Sequence, residues 1–291
     1  MPNQPTTPPD SATPAPPSPE RRLLRFGVRM MLVIVGLFLL LRLFVAQPYT
    51  IPTGSMKSTI LEGDAVLVNK LSYVVRSPRT IPFTNISIPH FELDGFGELE
   101  RGDVVMFAPP AGVADAEQHY LKRCVAVAGD TVQFRDGRCW VNGAELPPSP
   151  HDPLLETEMD GESSIPRRAP IDSLRAHPFF RAWQPVVLPY EGYDVAVDSA
   201  NIAQWKSLIQ SEGVSVEFRN SILFLGGLPA TRYTFRRNYF LALGDNSANS
   251  YDSRFFGPVA YDNLVGQAWF IYWSQDSEGE MRWSRIGGCV K

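Results

Sequence analysis

The sequence has little of what most hydrolytic sites are built from. Its 291 residues hold only four histidines, His90, His119, His151 and His177, scattered without an HExxH arrangement, so no histidine-based or zinc-protease motif is present. The three cysteines, Cys124, Cys139 and Cys289, lack the paired CxxC spacing of a zinc or redox site. One disulfide plus a free thiol, or three unpaired thiols, fit that count equally well. A formal net charge of −4, with no long Lys/Arg cluster outside positions 21–29, excludes the electrostatic footprint of a nucleic-acid binder. No metal or organic cofactor is called for.

What is present begins with a tail. Residues 1–20, MPNQPTTPPDSATPAPPSPE, are rich in proline and small polar residues and have almost nothing to bury, which predicts disorder. Arg21, Arg22, Arg25 and Arg29 follow, and then the long apolar run MMLVIVGLFLLLRLFVA, Met30 to Ala46. At about 1.5 Å per residue, this run with the turns before it covers the roughly 30 Å of a bilayer's hydrocarbon layer. Arg42 lies one turn from its end, where a long side chain snorkels to the headgroups. Gln47-Pro48 makes a poor cleavage site, so 21–46 is expected to be a retained transmembrane anchor rather than a cleaved signal or a core helix. Four arginines on the N-terminal side place that end in the cytoplasm and the rest of the chain, from about Gln47, on the outer side.

The outer part is predicted to be mainly β. DAVLVNKLSYVV, GDVVMFAPP, KRCVAVAGDTVQF and NYFLALGD alternate β-branched or aromatic residues with polar ones between Gly, Pro and Asp. Asp136-Gly137 supplies a tight hairpin turn. An insertion at about 147–235 departs from this pattern. It starts Pro-rich and contains VDSANIAQWKSLIQSEG, where Ile202, Trp205, Leu208 and Ile209 recur at helical spacing, Asp198 or Ser199 can cap the start and Gly213 can close the end. FRNSILFLGG (218–227) echoes FRDGRCWVNG (134–143), a hint that the insertion carries its own hairpin.

Three segments hold candidate chemistry. In IPTGSMKSTI (51–60), Gly54 permits a sharp turn at which Ser55 can present its hydroxyl and its own N–H to one point. A serine hydroxyl needs a base, and neither G-x-S-x-G nor S-x-x-K surrounds Ser55. Lysine remains. Lys122 sits in the otherwise apolar HYLKRCVAVAGD, where lost hydration lowers an ammonium's pKa; bringing it from near 10.4 to about 8 costs roughly 3 kcal/mol. Arg123, by strand alternation, faces the opposite side. The third segment, GDNSANSYDSRFFG (244–257), is a tight loop in which Asp252 and Arg254 can pair locally, leaving no carboxylate to raise the pKa of Lys122. A neutral hydroxyl such as Ser250 could orient the lysine.

Taken in order, these pieces resemble the bacterial type I signal peptidase (leader peptidase) family. IPTGSM is similar to its nucleophile box, EGDAVLVNK to the following strand, RGDVVMFAPP and YLKRCVAVAGD to the lysine box, GDNSANSYDSRFFGPV to the last catalytic box, and SRIGG (284–288) to its ending. The resemblance implies a coiled antiparallel β-sheet peptidase domain over 47–291, carrying the insertion and preceded by the anchor. It implies a Ser/Lys endopeptidase that removes signal peptides after small-x-small sites from preproteins emerging from the secretion translocon. Carried over residue by residue, Ser55 is the nucleophile and Lys122 the general base. The Ser55 N–H and the Thr53 hydroxyl form the oxyanion hole, Ser250 orients Lys122, and Gly54, Met56, Asp245, Asp252 and Arg254 hold the site in shape. The implied location is the inner membrane, with the catalytic domain in the periplasm.

Nine residues separate Ala46 from Ser55, a reach of at most about 30 Å that keeps Ser55 near the bilayer, where signal peptides end. Three departures qualify the likeness: Thr53 where serine is frequent, Ser58 where proline is usual, and Ser247-Ala248 where the family has arginine and a polar partner. Two rival functions follow: a repressor-type self-cleaving Ser/Lys protein, disfavoured by the anchor and the lack of a DNA-binding region, and a catalytically inactive, membrane-tethered homologue acting in binding or assembly.

Overall fold

The computed structural model describes residues 19–76, 92–113, 118–135, 138–146, 177–180 and 184–291. Asp136-Gly137, His90, His151, the start of the insertion and the tail to residue 18 lie outside them. Residues 1–42 and 43–291 are two separate units.

In the first unit, helix α1 (Pro19–Leu40) carries the arginines in its first half and leaves its large apolar side chains exposed, Leu23 at 74% and Ile34 at 62% among them. The α-helix stops at Leu40, and Leu41–Val45 continue as a π-turn that contains Arg42. The apolar run Met30–Ala46 is thus divided between two kinds of helix and a strand. No helix of the described residues is long and apolar enough to cross a membrane, so the single spanning helix expected over 21–46 is not found in that form. The arginines dilute its first half, and the change of helix type shortens its second.

The second unit is mainly β, as the alternation predicts. Seven antiparallel strands form the main sheet: β1 (Ala46–Thr50), β2 (Asp64–Asn69), β3 (Val104–Phe107), β4 (Tyr120–Ala126), β5 (Tyr239–Leu243), β6 (Val259–Ala260) and β7 (Leu264–Ser274), in the order β1-β2-β7-β3-β4-β5-β6. β7, the longest, lies between β2 and β3, yet its sequence LVGQAWFIYWS shows no clean alternation. Register shifts against β2 at Ala268/Phe270 and Ile271/Trp273 are the reason, because each bulge resets which side chains face the core. Directly opposite residues share a face. Val104, Met106 and Leu121 pack with Ile51, Met56 and Ile60 on one side of the sheet, and Val105, Phe107 and Cys124 with Phe240, Ala242 and Phe256 on the other.

A second core holds the accessory region. Thr131–Arg135, Arg138–Val141 and Ala144–Glu145 form an antiparallel meander whose outer strand pairs with Val186–Val187. Against it packs helix α2 (Ile202–Ser211), burying Ile202, Trp205, Leu208 and Ile209 as their spacing predicts. Its N-cap is Asn201 rather than Asp198 or Ser199. The Asp198 carboxylate instead accepts the N–H groups of Ala200 and Asn201 ahead of the helix. Gly213, at φ +80°, ends it as expected. The insertion does carry its own hairpin, Val216–Arg219 paired with Ile222–Leu225, turning at Asn220 and Ser221, both at positive φ as a two-residue I′-type turn requires. No cysteine forms a disulfide; Cys124 and Cys139 are buried and Cys289 is exposed.

Candidate active site

Between β1 and β2 the chain makes a 3-10 turn, Gly54–Met56. Met56 is its anchor, 1% exposed in the core beneath, and Lys57 N–H closes the turn on Gly54 O at 3.0 Å. Ser55 therefore sits on a rigid corner with its hydroxyl partly exposed. The hydroxyls of Thr53 and Ser55 lie 3.5 Å apart, so Thr53 is beside the serine oxygen.

Lys122 comes from the middle of β4, opposite Val105. It is 5% exposed, and its Nζ donates to Ser55 Oγ at 2.5 Å. The ammonium also stands 5.9 Å from the Tyr120 ring centroid. Burial is the main cause that pulls the Lys122 pKa down to about 8; Arg254 helps, and Asp252 and Asp245 oppose it. Among the described residues no carboxylate pairs with Lys122, because both nearby carboxylates are already taken. Asp252, fully buried, is bound by Arg254 through Nε and Nη2 at 2.8 Å each, and also accepts Gly244 N–H. Asp245 is bound by Arg123 at 2.8 and 2.7 Å and by the Thr59 hydroxyl at 2.5 Å. Alternation separates the two basic neighbours as expected: Lys122 meets the serine, Arg123 the carboxylate.

The 244–257 loop presses directly on the serine turn. Asn246 N–H donates to Ser55 O and its side-chain amide to Gly54 O, both at 3.0 Å. A Cβ on Gly244 would come within 2.7 Å of Ser55 O and 2.1 Å of Ser250 Oγ, so only glycine allows the loop so close. Ser250 is buried, and among the described residues its Oγ has no hydrogen-bond partner; the Lys122 hydrogen bond goes to Ser55. Arg254 further binds the carbonyls of Ser247 and Ser250. Gly244, Asn246, Thr59 and Arg123 had no assigned role in the sequence; the density of Gly, Asp and Asn around 244–246 pointed to the first two, strand alternation gave Arg123 only a face, and nothing marked Thr59.

The turn's far end is fixed by the SRIGG segment. Arg285 binds buried Asp64 at 2.6 Å and Thr59 O at 2.9 Å, and Ser274 donates to Asp64 at 2.6 Å. Burial opposes the Asp64 charge, but these hydrogen bonds, Leu61 N–H and the Arg285 charge outweigh it and hold the carboxyl below its ordinary pKa.

Ser55 and Lys122 open into a cleft of about 360 Å³, lined by Tyr49 and Ile51 to Ser55 from one segment, Gln118 to Lys122 from another, and Asn249 and Tyr251. No Asp or Glu among the described residues lines it. Among the described residues no cluster of His, Cys, Asp and Glu could hold a metal.

The fold is antiparallel β, and its cleft brings a serine hydroxyl against a buried lysine. Comparison with known proteins narrows this. The profile of the signal peptidase, peptidase S26, family matches residues 24–273, and the chain belongs to that family. It is 30% identical to a signal peptidase I of Helicobacter pylori, over 88% of this chain and 91% of the relative. It is 27% identical to that of Pseudomonas aeruginosa, over 92% and 80%. A solved signal peptidase I from Enterococcus faecalis aligns over 58% of this chain and 96% of its own at 20% identity, with a TM-score of 0.29, too low to add to the fold argument.

Proposed function

We propose that the chain is a membrane-anchored serine endopeptidase that removes signal peptides from exported preproteins, with Ser55 as nucleophile and Lys122 as general base. The hydrogen bond from buried Lys122 to Ser55 carries this reading. A pKa near 8 leaves an appreciable share of Lys122 as free amine at neutral pH, which is what a base requires. The amine takes the Ser55 proton as Oγ attacks the scissile carbonyl. The Ser55 N–H and Thr53 hydroxyl receive the oxyanion, each such donor being worth about 3–4 kcal/mol. The lysine then protonates the leaving amine and activates the water that clears the acyl-enzyme. Ser250, one residue from the cleft-lining Asn249 and Tyr251, is proposed to take up Lys122 when Ser55 is acylated. Gly54, Met56, Asp245, Asp252 and Arg254 are proposed to keep the geometry. None of these steps calls on a metal or organic cofactor.

The substrate is proposed to lie extended between the two segments that line the cleft, pairing by its backbone with small pockets for alternate side chains. The proposed organisation is a tail to residue 20, an anchor over 21–46 and a peptidase domain over 47–291 with its insertion at about 147–235. Exposed apolar side chains along α1 support the anchor, since so large an apolar surface needs lipid or a partner. The N-terminal arginines support a cytoplasmic N-terminus and a periplasmic domain. Purified wild type, Ser55→Ala and Lys122→Ala, assayed on a preprotein, test the reading. Wild type is expected to cleave, and each variant to lose at least about a thousandfold. Full activity in either variant breaks the dyad assignment, and an inert wild type favours the inactive homologue.

A further inference from the structure

The accessory region reaches the 244–257 loop through His177. Its backbone N–H donates to Arg254 O at 2.9 Å. Its ring lies so close to Gly257 that a Cβ there would approach imidazole Cε1 and Nδ1 to 2.7 Å. On the other side the ring is tied into the aromatic core. Nδ1 accepts Phe179 N–H at 3.2 Å, so a neutral ring carries its proton on Nε2, which lies 3.1 Å from Ser207 Oγ on α2. Phe179 packs edge-on against Phe180 and Trp205 at 5.0 and 5.5 Å. The residue whose carbonyl His177 holds is the one whose guanidinium occupies Asp252 and the Ser247 and Ser250 carbonyls.

We infer that His177 is a positioning residue through which the accessory region keeps Arg254 on Asp252 and so keeps Lys122 reactive toward Ser55. The inference rests on the proposed dyad. The groups acting on Lys122 are Asp252 and Asp245, which favour its charged form, Arg254, which disfavours it, and the Tyr120 ring beneath it. Without the ring contacts that fix residue 177, its backbone N–H no longer holds the Arg254 carbonyl in place, Arg254 slackens and Asp252 is less neutralised. Lys122 then holds its proton to higher pH, and less free amine remains to activate Ser55.

The test uses the full chain with two readouts: kcat and KM on a preprotein, and Lys122 titration followed by NMR of its side-chain carbons. His177→Ala is expected to lower kcat about tenfold with KM nearly unchanged, and to move the Lys122 titration upward by about half a pH unit or more. His177→Asn, whose amide oxygen can accept the same Phe179 N–H as an Asx-turn but which lacks the Nε2 contact with Ser207, should restore most of both, to the level of Ser207→Ala. Ser207→Ala, which cuts only the Nε2 contact, should move both in the same direction by less and serves if His177→Ala does not fold. An unchanged Lys122 titration in the folded variants overturns the inference. The titration needs no substrate, so a wild type that cleaves nothing would break the proposed function, while a shifted Lys122 would still uphold the tether.

Discussion

The two halves of the β unit are held together by different forces. Around Ser55 the buried side chains include a set of charges: Asp64 and Asp252 are fully buried, Asp245 is 6% exposed and Lys122 5%. Each carboxylate is bound by an arginine, Arg285, Arg254 and Arg123 in turn. The accessory core is apolar, and among its aliphatic side chains runs a chain of rings, with Phe134, Phe179, Phe180, Trp205, Phe235 and Tyr239 packed edge-on or tilted at 4.7–5.9 Å. There buried Glu212 is satisfied by the hydroxyls of Tyr233 and Tyr239 and by Arg236 N–H. Ion pairs fix direction and spacing but contribute little net stability once desolvation is counted. Ring packing contributes stability and is forgiving of direction. The site half thus resists changes of charge, and the accessory half resists changes of volume.

The largest expected effect comes from Lys122, the one buried cation among the described residues, which has no carboxylate partner there. Cleavage should rise about tenfold per pH unit below pH 8 and level off above it, following neutral Lys122; a flat profile from pH 6 to 9 would contradict a lysine base. Stability should follow the same group. The folded pKa of about 8 lies below the ordinary 10.5, so between these values the unfolded chain binds more protons and stability rises with pH, by about 3 kcal/mol over the window. Below about pH 8 the full cost of the buried ammonium is present. Lys122→Met, which cannot act as a base, should therefore unfold at a higher temperature than wild type at pH 6.

Next in size is the removal of a partner. Arg123→Met leaves Asp245 buried without its cation and should cost about 3–5 kcal/mol in denaturant unfolding. Cleavage should fall with it, because Asp245 and Asn246 begin the strap on the Ser55 turn. Asp64 adds an acid limit. Its carboxyl is held below its ordinary pKa, so its stabilisation is present above that ordinary value and fades as pH falls through the lowered one. Asp64→Asn should flatten that part of the acid-unfolding curve; a curve identical to wild type would remove Asp64 from the account.

Local physics made part of this legible in the sequence. Four apolar residues at helical spacing marked α2, and all four are buried. An isolated lysine in an apolar strand marked Lys122. What failed depended on partners remote in the chain. Arg123 could be assigned a face but not Asp245, 122 residues away. Gly244 could be seen as a loop glycine, but not as the place where that loop touches Ser55 O. Bulges hid β7, since alternation is readable only while register holds. The apolar run up to Ala46 gave hydropathy but not the change to a π-turn after Leu40, because composition does not determine where an α-helix loses its i→i−4 pattern.

The smallest expected effect tests whether the accessory half depends on volume alone. Leu208 lies on the buried face of α2 at 4% exposure, in one core with Trp205 and Tyr239. Leu208→Met keeps its volume and should cost under about 1.5 kcal/mol, with cleavage and the Lys122 titration unchanged, because no contact in the path through His177 uses the Leu208 side chain. Trp205→Ala in the same core should cost about 3–5 kcal/mol, since it removes the ring against which Phe179 packs, and only this variant should also lower cleavage. If Leu208→Met moved the Lys122 titration as far as Trp205→Ala does, the accessory core would be acting on the site through its packing as a whole, and the division between a charge-held half and a ring-held half would fail.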